Sequence, residues 1–173
     1  KNLCQPDNTY RFYWCFRVRG AAGHSLRFHF TGSDVIGVRG PAVSVDKGWS
    51  WNWLGRDCVE GQSFRYTIPP DAGEARFSFG MPYLQMHLDR FLMGYQDHDA
   101  LQQDELCRSR KGRRVELLRL GQPEVAKVHR VVLTCRHHCC EMMASYALEG
   151  IIARILGPDP RGKWLREYAC VLI

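Results

Sequence analysis

His138 and Glu141 are the residues of this chain whose types and spacing best suit chemistry. Neutral imidazole and carboxylate are both zinc ligands. At a turn from a strand into a helix, two residues three apart project toward one point. The surrounding run, residues 128–152, has that order: an apolar β-branched stretch, a cluster of metal-capable side chains, then a helical pattern. Strand, ligands, helix puts a metal at the carboxyl edge of an α/β sheet, where such sheets bind ligands. A catalytic zinc typically takes about three protein ligands and leaves a position for water. Two are present here. Taken alone, His-x-x-Glu is a common tetrapeptide, better read as a surface histidine beside a helix-capping glutamate. His137, Cys139 and Cys140 are also possible ligands, but adjacent side chains diverge and cannot all face one ion. Cys139 and Cys140 read as small packing residues at a crowded turn.

The elements that must position this pair follow from periodicity. Residues 141–156 form the best helix, with Ala144, Ala147, Leu148, Ile151, Ile152 and Ile155 on one face, a glutamate in the first turn, and Gly157-Pro158 as the stop. A short helix is expected over 161–167, and strands over 113–120, 125–134 and 168–173. Residues 96–105 are polar and read as a loop. Leu84, Leu88, Phe91 and Leu92 recur at helical spacing after Met81-Pro82. Further upstream the pattern alternates, which predicts strands over 10–18, 26–30, 49–53, 63–68 and 74–79. The third of these carries Trp49, Trp51 and Trp53 on one face. Short strands at regular spacing imply an antiparallel β-sandwich, and strands alternating with helices imply an α/β sheet. The expected division is residues 1–92, a sandwich with a connecting helix, and residues 93–173, the start of an α/β domain.

The 173 residues are 45% hydrophobic, enough for a real core, and carry a formal charge of +6. That charge leaves anionic partners open without establishing one. Arg108, Arg110, Lys111, Arg113 and Arg114 read as a solvated loop and strand entry, not a nucleic-acid arm. The tryptophan stripe is read as core or interdomain contact before it is read as a glycan or protein platform. His24, His29, His87, His98 and His129 are scattered and read as structural. Of the eight cysteines, Cys15, Cys135 and Cys170 lie in apolar runs, as buried thiols do, and Cys4, Cys58 and Cys107 form no Cys-x-x-Cys pair. A reducing, cytoplasmic compartment is expected. No apolar stretch has membrane-spanning length, and the first residues do not read as a signal peptide. The chain lacks an initiator Met and ends within an apolar strand, so it is expected to be the front part of something longer.

Five landmarks in order carry a resemblance to a known family. Tyr13-Trp14-Cys15-Phe16-Arg17-Val18 is similar to the family's aromatic sandwich strand, and Pro82-Tyr83 to its helix-opening dipeptide. Leu106-Cys107-Arg108-Ser109-Arg110-Lys111-Gly112-Arg113 follows the signature Leu-Cys-x-Thr/Ser-x-x-Gly-Arg. Arg136-His137-His138-Cys139-Cys140-Glu141 resembles the zinc motif Arg-x-His-Pro-Gly-Glu, and Leu148-Glu149-Gly150-Ile151 the segment that closes the following helix. The chain thus resembles the zinc metallocarboxypeptidases of the carboxypeptidase A/B superfamily, in their cytosolic carboxypeptidase-like branch. The resemblance implies that His138 and Glu141 ligate Zn2+ and that the substrates are peptide or protein C-termini, with no nucleic acid or membrane partner. It also implies that the third ligand, the substrate-carboxylate arginine and the general base follow later than Ile173. The isolated chain is therefore expected to be inactive. Cys139-Cys140 depart from the family's Pro-Gly and make the backbone less permissive there. The competing readings are a non-catalytic β-sandwich module that binds a protein or glycan, and a structural metal site.

Overall fold

A computed structural model describes residues 12–32, 34–121 and 129–173. Cys4, residues 10 and 11 of the first expected strand, and residues 125–128 of a later one lie outside the described residues. The architecture is mixed α/β with several sheets. It divides into two compact units: Lys1–Leu84 with His138–Met143, and Gln85–His137 with Ala144–Ile173.

The first unit contains β1 (Cys15–Arg19), β2 (Ser25–His29), β3 (Ala42–Ser44), β4 (Asn52–Trp53), β5 (Val59–Glu60), β6 (Ser63–Thr67) and β7 (Glu74–Ser78). One antiparallel sheet runs β1-β7-β3-β4 and another runs β2-β6-β5. The alternation of Phe16 and Val18 with arginines in β1, and of Leu26 and Phe28 with polar residues in β2, gives each strand one apolar face. Those faces share a core centred on Phe64 and Phe77, both fully buried. Phe28 lies 4.7 Å from Phe64 and 4.8 Å from Phe77, ring centre to ring centre. Such aromatic pairs add about 0.5–1.5 kcal/mol each beyond area burial.

The expected 49–53 strand is mostly a turn; only Asn52–Trp53 pairs. Asp46 explains why. Its carboxylate accepts the Ser50 amide at 2.9 Å and the Ser50 hydroxyl at 2.5 Å, which ties up the backbone that a ladder would need. Trp49 is exposed as a result, while the Trp51 indole donates to the Gly48 carbonyl at 3.1 Å.

The second unit holds α1 (Gln85–Met93), β8 (Leu101–Arg108), β9 (Arg114–Gly121), β10 (His129–Val132), most of α2 (Met142–Leu156), α3 (Pro160–Tyr168) and β11 (Ala169–Leu172). The sheet order is β10-β11-β9-β8, with β10 parallel to β11 and the other neighbours antiparallel. Residues 101–105, expected as loop, belong to β8. Its polar side chains leave no periodic signal, and pairing with β9 makes it a strand. Ile152, Ile155 and Leu156 of α2 pack with Leu92, Leu118, Leu120 and Val171. Ala147 and Ile151, expected on the same face, are exposed. Asp159 caps α3 by accepting the Arg161 amide at 2.9 Å, ahead of Pro160 at the first turn.

Candidate metal centre

β10 ends at Val132, α2 begins at Met142, and the intervening segment carries the candidate ligands. Arg136, two residues before the turn, takes a left-handed φ of 62°, unusual for a residue with a side chain. The turn itself is His138–Glu141, closed by the Glu141 amide donating to the His138 carbonyl at 3.2 Å, with Cys139 and Cys140 at its centre. Glu141 immediately precedes α2 instead of lying in its first turn.

Within the turn the two candidates converge. His138 Nδ1 lies 2.7 Å from Glu141 Oε1, and the His138 amide donates to Oε2 at 3.1 Å. The glutamate thus reaches back to the backbone three residues earlier, as in a capping box, which fixes its carboxylate beside the imidazole. Both side chains are open to solvent, His138 at 65% and Glu141 at 40% exposure. Met142 anchors the far end of the turn. It is 1% exposed, and its sulfur accepts the Tyr13 hydroxyl at 3.5 Å.

The neighbouring candidates diverge. His137 Nε2 is 3.3 Å from the Thr134 hydroxyl. Cys135 Sγ lies 3.7 Å from the Ser145 hydroxyl, and Cys139 and Cys140 are half-buried. Cys15, expected in a buried setting, is exposed, as is Cys107; Cys135 and Cys170 are half-buried. Further along α2, the Tyr146 hydroxyl pKa is raised, first by burial and then by the charge of Glu149. Two features of this segment had no signal in the sequence: the left-handed Arg136 and the Met142 anchor.

The donor set fits zinc in kind. One imidazole nitrogen and one carboxylate oxygen lie side by side in a solvent-open turn, hydrogen-bonded to each other at 2.7 Å, a contact that a bound metal would replace. It is incomplete in number, since no group of at least three His, Cys, Asp or Glu side chains that could hold a metal occurs among the described residues.

No family model matches the sequence. No curated protein matches it either. Solved structures do. A metallo-carboxypeptidase of Burkholderia cenocepacia has a TM-score of 0.71 at 24% identity, over 93% of this chain and 45% of its own. A candidate carboxypeptidase of Burkholderia mallei has a TM-score of 0.71 at 26% identity, over 93% and 43%. A metallo-carboxypeptidase of Pseudomonas aeruginosa, in complex with (2-guanidinoethylmercapto)succinic acid, has a TM-score of 0.69 at 23% identity, over 92% and 44%. The chain therefore shares its fold with metallo-carboxypeptidases and spans less than half the length of these structures.

Proposed function

We propose that this chain carries part of the active site of a zinc metallocarboxypeptidase, which removes C-terminal residues from peptides or proteins. The observation that carries this reading is the pairing of His138 with Glu141 in one turn, Nδ1 to Oε1 at 2.7 Å. It occurs at a strand-to-helix turn in a chain with a metallo-carboxypeptidase fold. His138 and Glu141 would hold the metal. A zinc held there would supply a water of lowered pKa and a Lewis acid for the scissile carbonyl. The chain's own residues contribute orientation. The His138 amide steers the Glu141 carboxylate, and the buried Met142 fixes the exit of the turn.

In the same reading, residues 1–92 are a β-sandwich domain with a connecting helix, and residues 93–173 are the N-terminal part of the catalytic domain. The third ligand and general base come from outside these 173 residues. The five ordered landmarks support the cytosolic carboxypeptidase-like branch, and a reducing cytoplasm is the compartment that cysteine usage suits.

The test is zinc stoichiometry and carboxypeptidase activity of a longer protein that includes this chain. One zinc per molecule is expected, lost in His138→Ala with the circular dichroism spectrum unchanged. Full zinc occupancy in that variant refutes the assignment. The 173-residue chain alone is expected to release no C-terminal residues.

A further inference from the structure

An open cleft of about 540 Å³ lies wholly within the first compact unit, a size usual for small-molecule sites. Its walls are the end of β1 at Arg19, the start of β7 at Gly73 and Glu74, and the loop that follows β3, at Val45, Asp46, Lys47 and Trp49. The acceptors of this cleft are occupied. Glu74 is 7% exposed; Arg76 Nε donates to its Oε1 at 2.7 Å and Arg19 Nε to its Oε2 at 3.2 Å, with Arg17 at 3.7 Å from Oε2. Asp46 accepts the Ser44 hydroxyl at 2.7 Å on Oδ1 and the Ser50 hydroxyl on Oδ2. The donors are not occupied. Arg19 engages Glu74 through Nε, which leaves its two terminal nitrogens without a hydrogen bond among the described residues. Lys47 makes no side-chain hydrogen bond or ion pair among the described residues. Arg17, Arg19, Arg76 and Lys47 thus stand against two carboxylates, an excess of two positive charges.

The wall that carries Lys47 and Trp49 is built, not merely polar. The Gly48 amide donates to the Ser44 hydroxyl at 2.8 Å, and the Trp49 amide to the Asp46 carbonyl at 3.4 Å. Lys47 is held at a left-handed φ of 64°, a conformation that residues with a side chain rarely adopt. Such strain persists only where the surrounding structure imposes it, and it clusters at ligand sites. Beside the donors, Trp49 and Val45 give the cleft an apolar wall, 44% and 42% exposed. Gly73 leaves room on the other side, since a Cβ there would meet no heavy atom within 4 Å. Free donors and an aromatic surface are therefore fixed together before any ligand arrives, which lowers the ordering cost of binding.

We infer that this cleft binds a small aromatic anion, a planar ring that carries a phosphate or a carboxylate. The ring rests on Trp49 and Val45, and the anionic group takes the terminal nitrogens of Arg19 and the Lys47 ammonium. The guanidinium fork matches either anionic group, and a ring set against an indole gains from area burial and from the two ring quadrupoles. A neutral glycan, another usual occupant of an exposed tryptophan, fits less well. Its hydroxyls donate as well as accept, and both carboxylates of the cleft are already engaged at both oxygens. The inference stands apart from the zinc assignment, because the cleft uses neither His138 nor Glu141.

The experiment titrates adenosine monophosphate and, separately, indole-3-acetate into the full 173-residue chain and follows the heat by calorimetry. Binding of at least one of them, one per chain, is expected, and the tighter of the two identifies the anionic group. The ring alone (adenosine or indole) and the anion alone (inorganic phosphate or acetate) should each bind about tenfold or more weakly than the whole ligand. Lys47→Gln and Trp49→Ala should each weaken binding about tenfold, and Arg161→Gln, an exposed cation outside the cleft, should leave it unchanged. Lys47→Gly removes the donor but suits the left-handed backbone, so it should lose the ligand with a urea midpoint no lower than that of the parent. That variant separates loss of the site from loss of the fold. Absence of binding by both anions at millimolar concentration overturns the inference, as do equal losses in Lys47→Gln and Arg161→Gln. So does tighter binding of a neutral disaccharide such as cellobiose through Trp49.

Discussion

His138 and Glu141 are bound to each other twice, once ring to carboxylate at 2.7 Å and once backbone amide to carboxylate at 3.1 Å. The second bond matters as much as the first. It orients the carboxylate independently of the imidazole, so the turn keeps one donor in place when the other is changed.

That asymmetry makes the two ligand variants distinguishable. His138→Ala leaves Glu141 anchored on the residue 138 amide, so the turn survives and only metal affinity falls. Glu141→Ala removes a ligand and also releases the His138 amide, as loss of a helix cap does, at about 0.5–2 kcal/mol of stability. Losing an outer partner of a zinc ligand costs about 10–100-fold in affinity, and losing a ligand should cost at least the upper part of that range. Chelator competition on a longer protein that includes this chain measures the affinity, and urea unfolding measures the stability. Equal stability for the two variants would contradict the reach-back role of Glu141.

Met142→Ala is expected to cost about 2–4 kcal/mol, since a side chain with 1% exposure leaves a cavity. Met142→Leu nearly conserves volume and should cost less than about 1.5 kcal/mol. Met143 is 52% exposed, and its change to Ala should be close to neutral. Urea midpoints of the three variants check the order.

The contrast between adjacent methionines indicates what was legible in the sequence. The His138-x-x-Glu141 spacing and its place between strand and helix could be read, because both depend on neighbours in the chain. The core strands β1, β2, β6 and β7 were legible for the same reason: apolar and polar residues alternate along them. Met142 was not, because its partner Tyr13 lies 129 residues away. β8 was missed because Leu-Gln-Gln-Asp-Glu-Leu-Cys-Arg has no period and becomes a strand through β9. The tryptophan stripe misled because alternation at 49–53 competes with Asp46, whose hydrogen bonds turn the chain first.

Gly121→Ala should destabilise the second unit by about 2–4 kcal/mol. Gly121 sits at φ 89°, and an added Cβ would lie 2.1 Å from the Ala169 carbonyl oxygen. Relief requires β9 to move from β11 at the pair Cys170↔Gly121. Gly20 also has a positive φ but open space around it, so Gly20→Ala carries backbone strain alone and should cost less. Guanidinium unfolding of both variants tests whether the close approach or the dihedral dominates.

Acid should weaken the first unit through Asp46. Partial burial raises its pKa, but hydrogen bonds from the Ser50 hydroxyl and amide and the Ser44 hydroxyl outweigh that and hold it at about 2. A carboxyl with a depressed folded-state pKa stabilises above its unfolded value, 3.8, and that contribution is lost as pH falls through about 2. Glu74 has the same sign, its pKa lowered first by the Arg76 hydrogen bond at 2.7 Å, with Arg19 adding a second. Asp46→Asn keeps the size of the side chain and removes the titration. The variant should be less stable than the parent at pH 7, and the two should converge between pH 4 and pH 2. Urea midpoints across that interval measure the gap, and a gap that stays constant with pH would mean that Asp46 acts through its shape and not its charge.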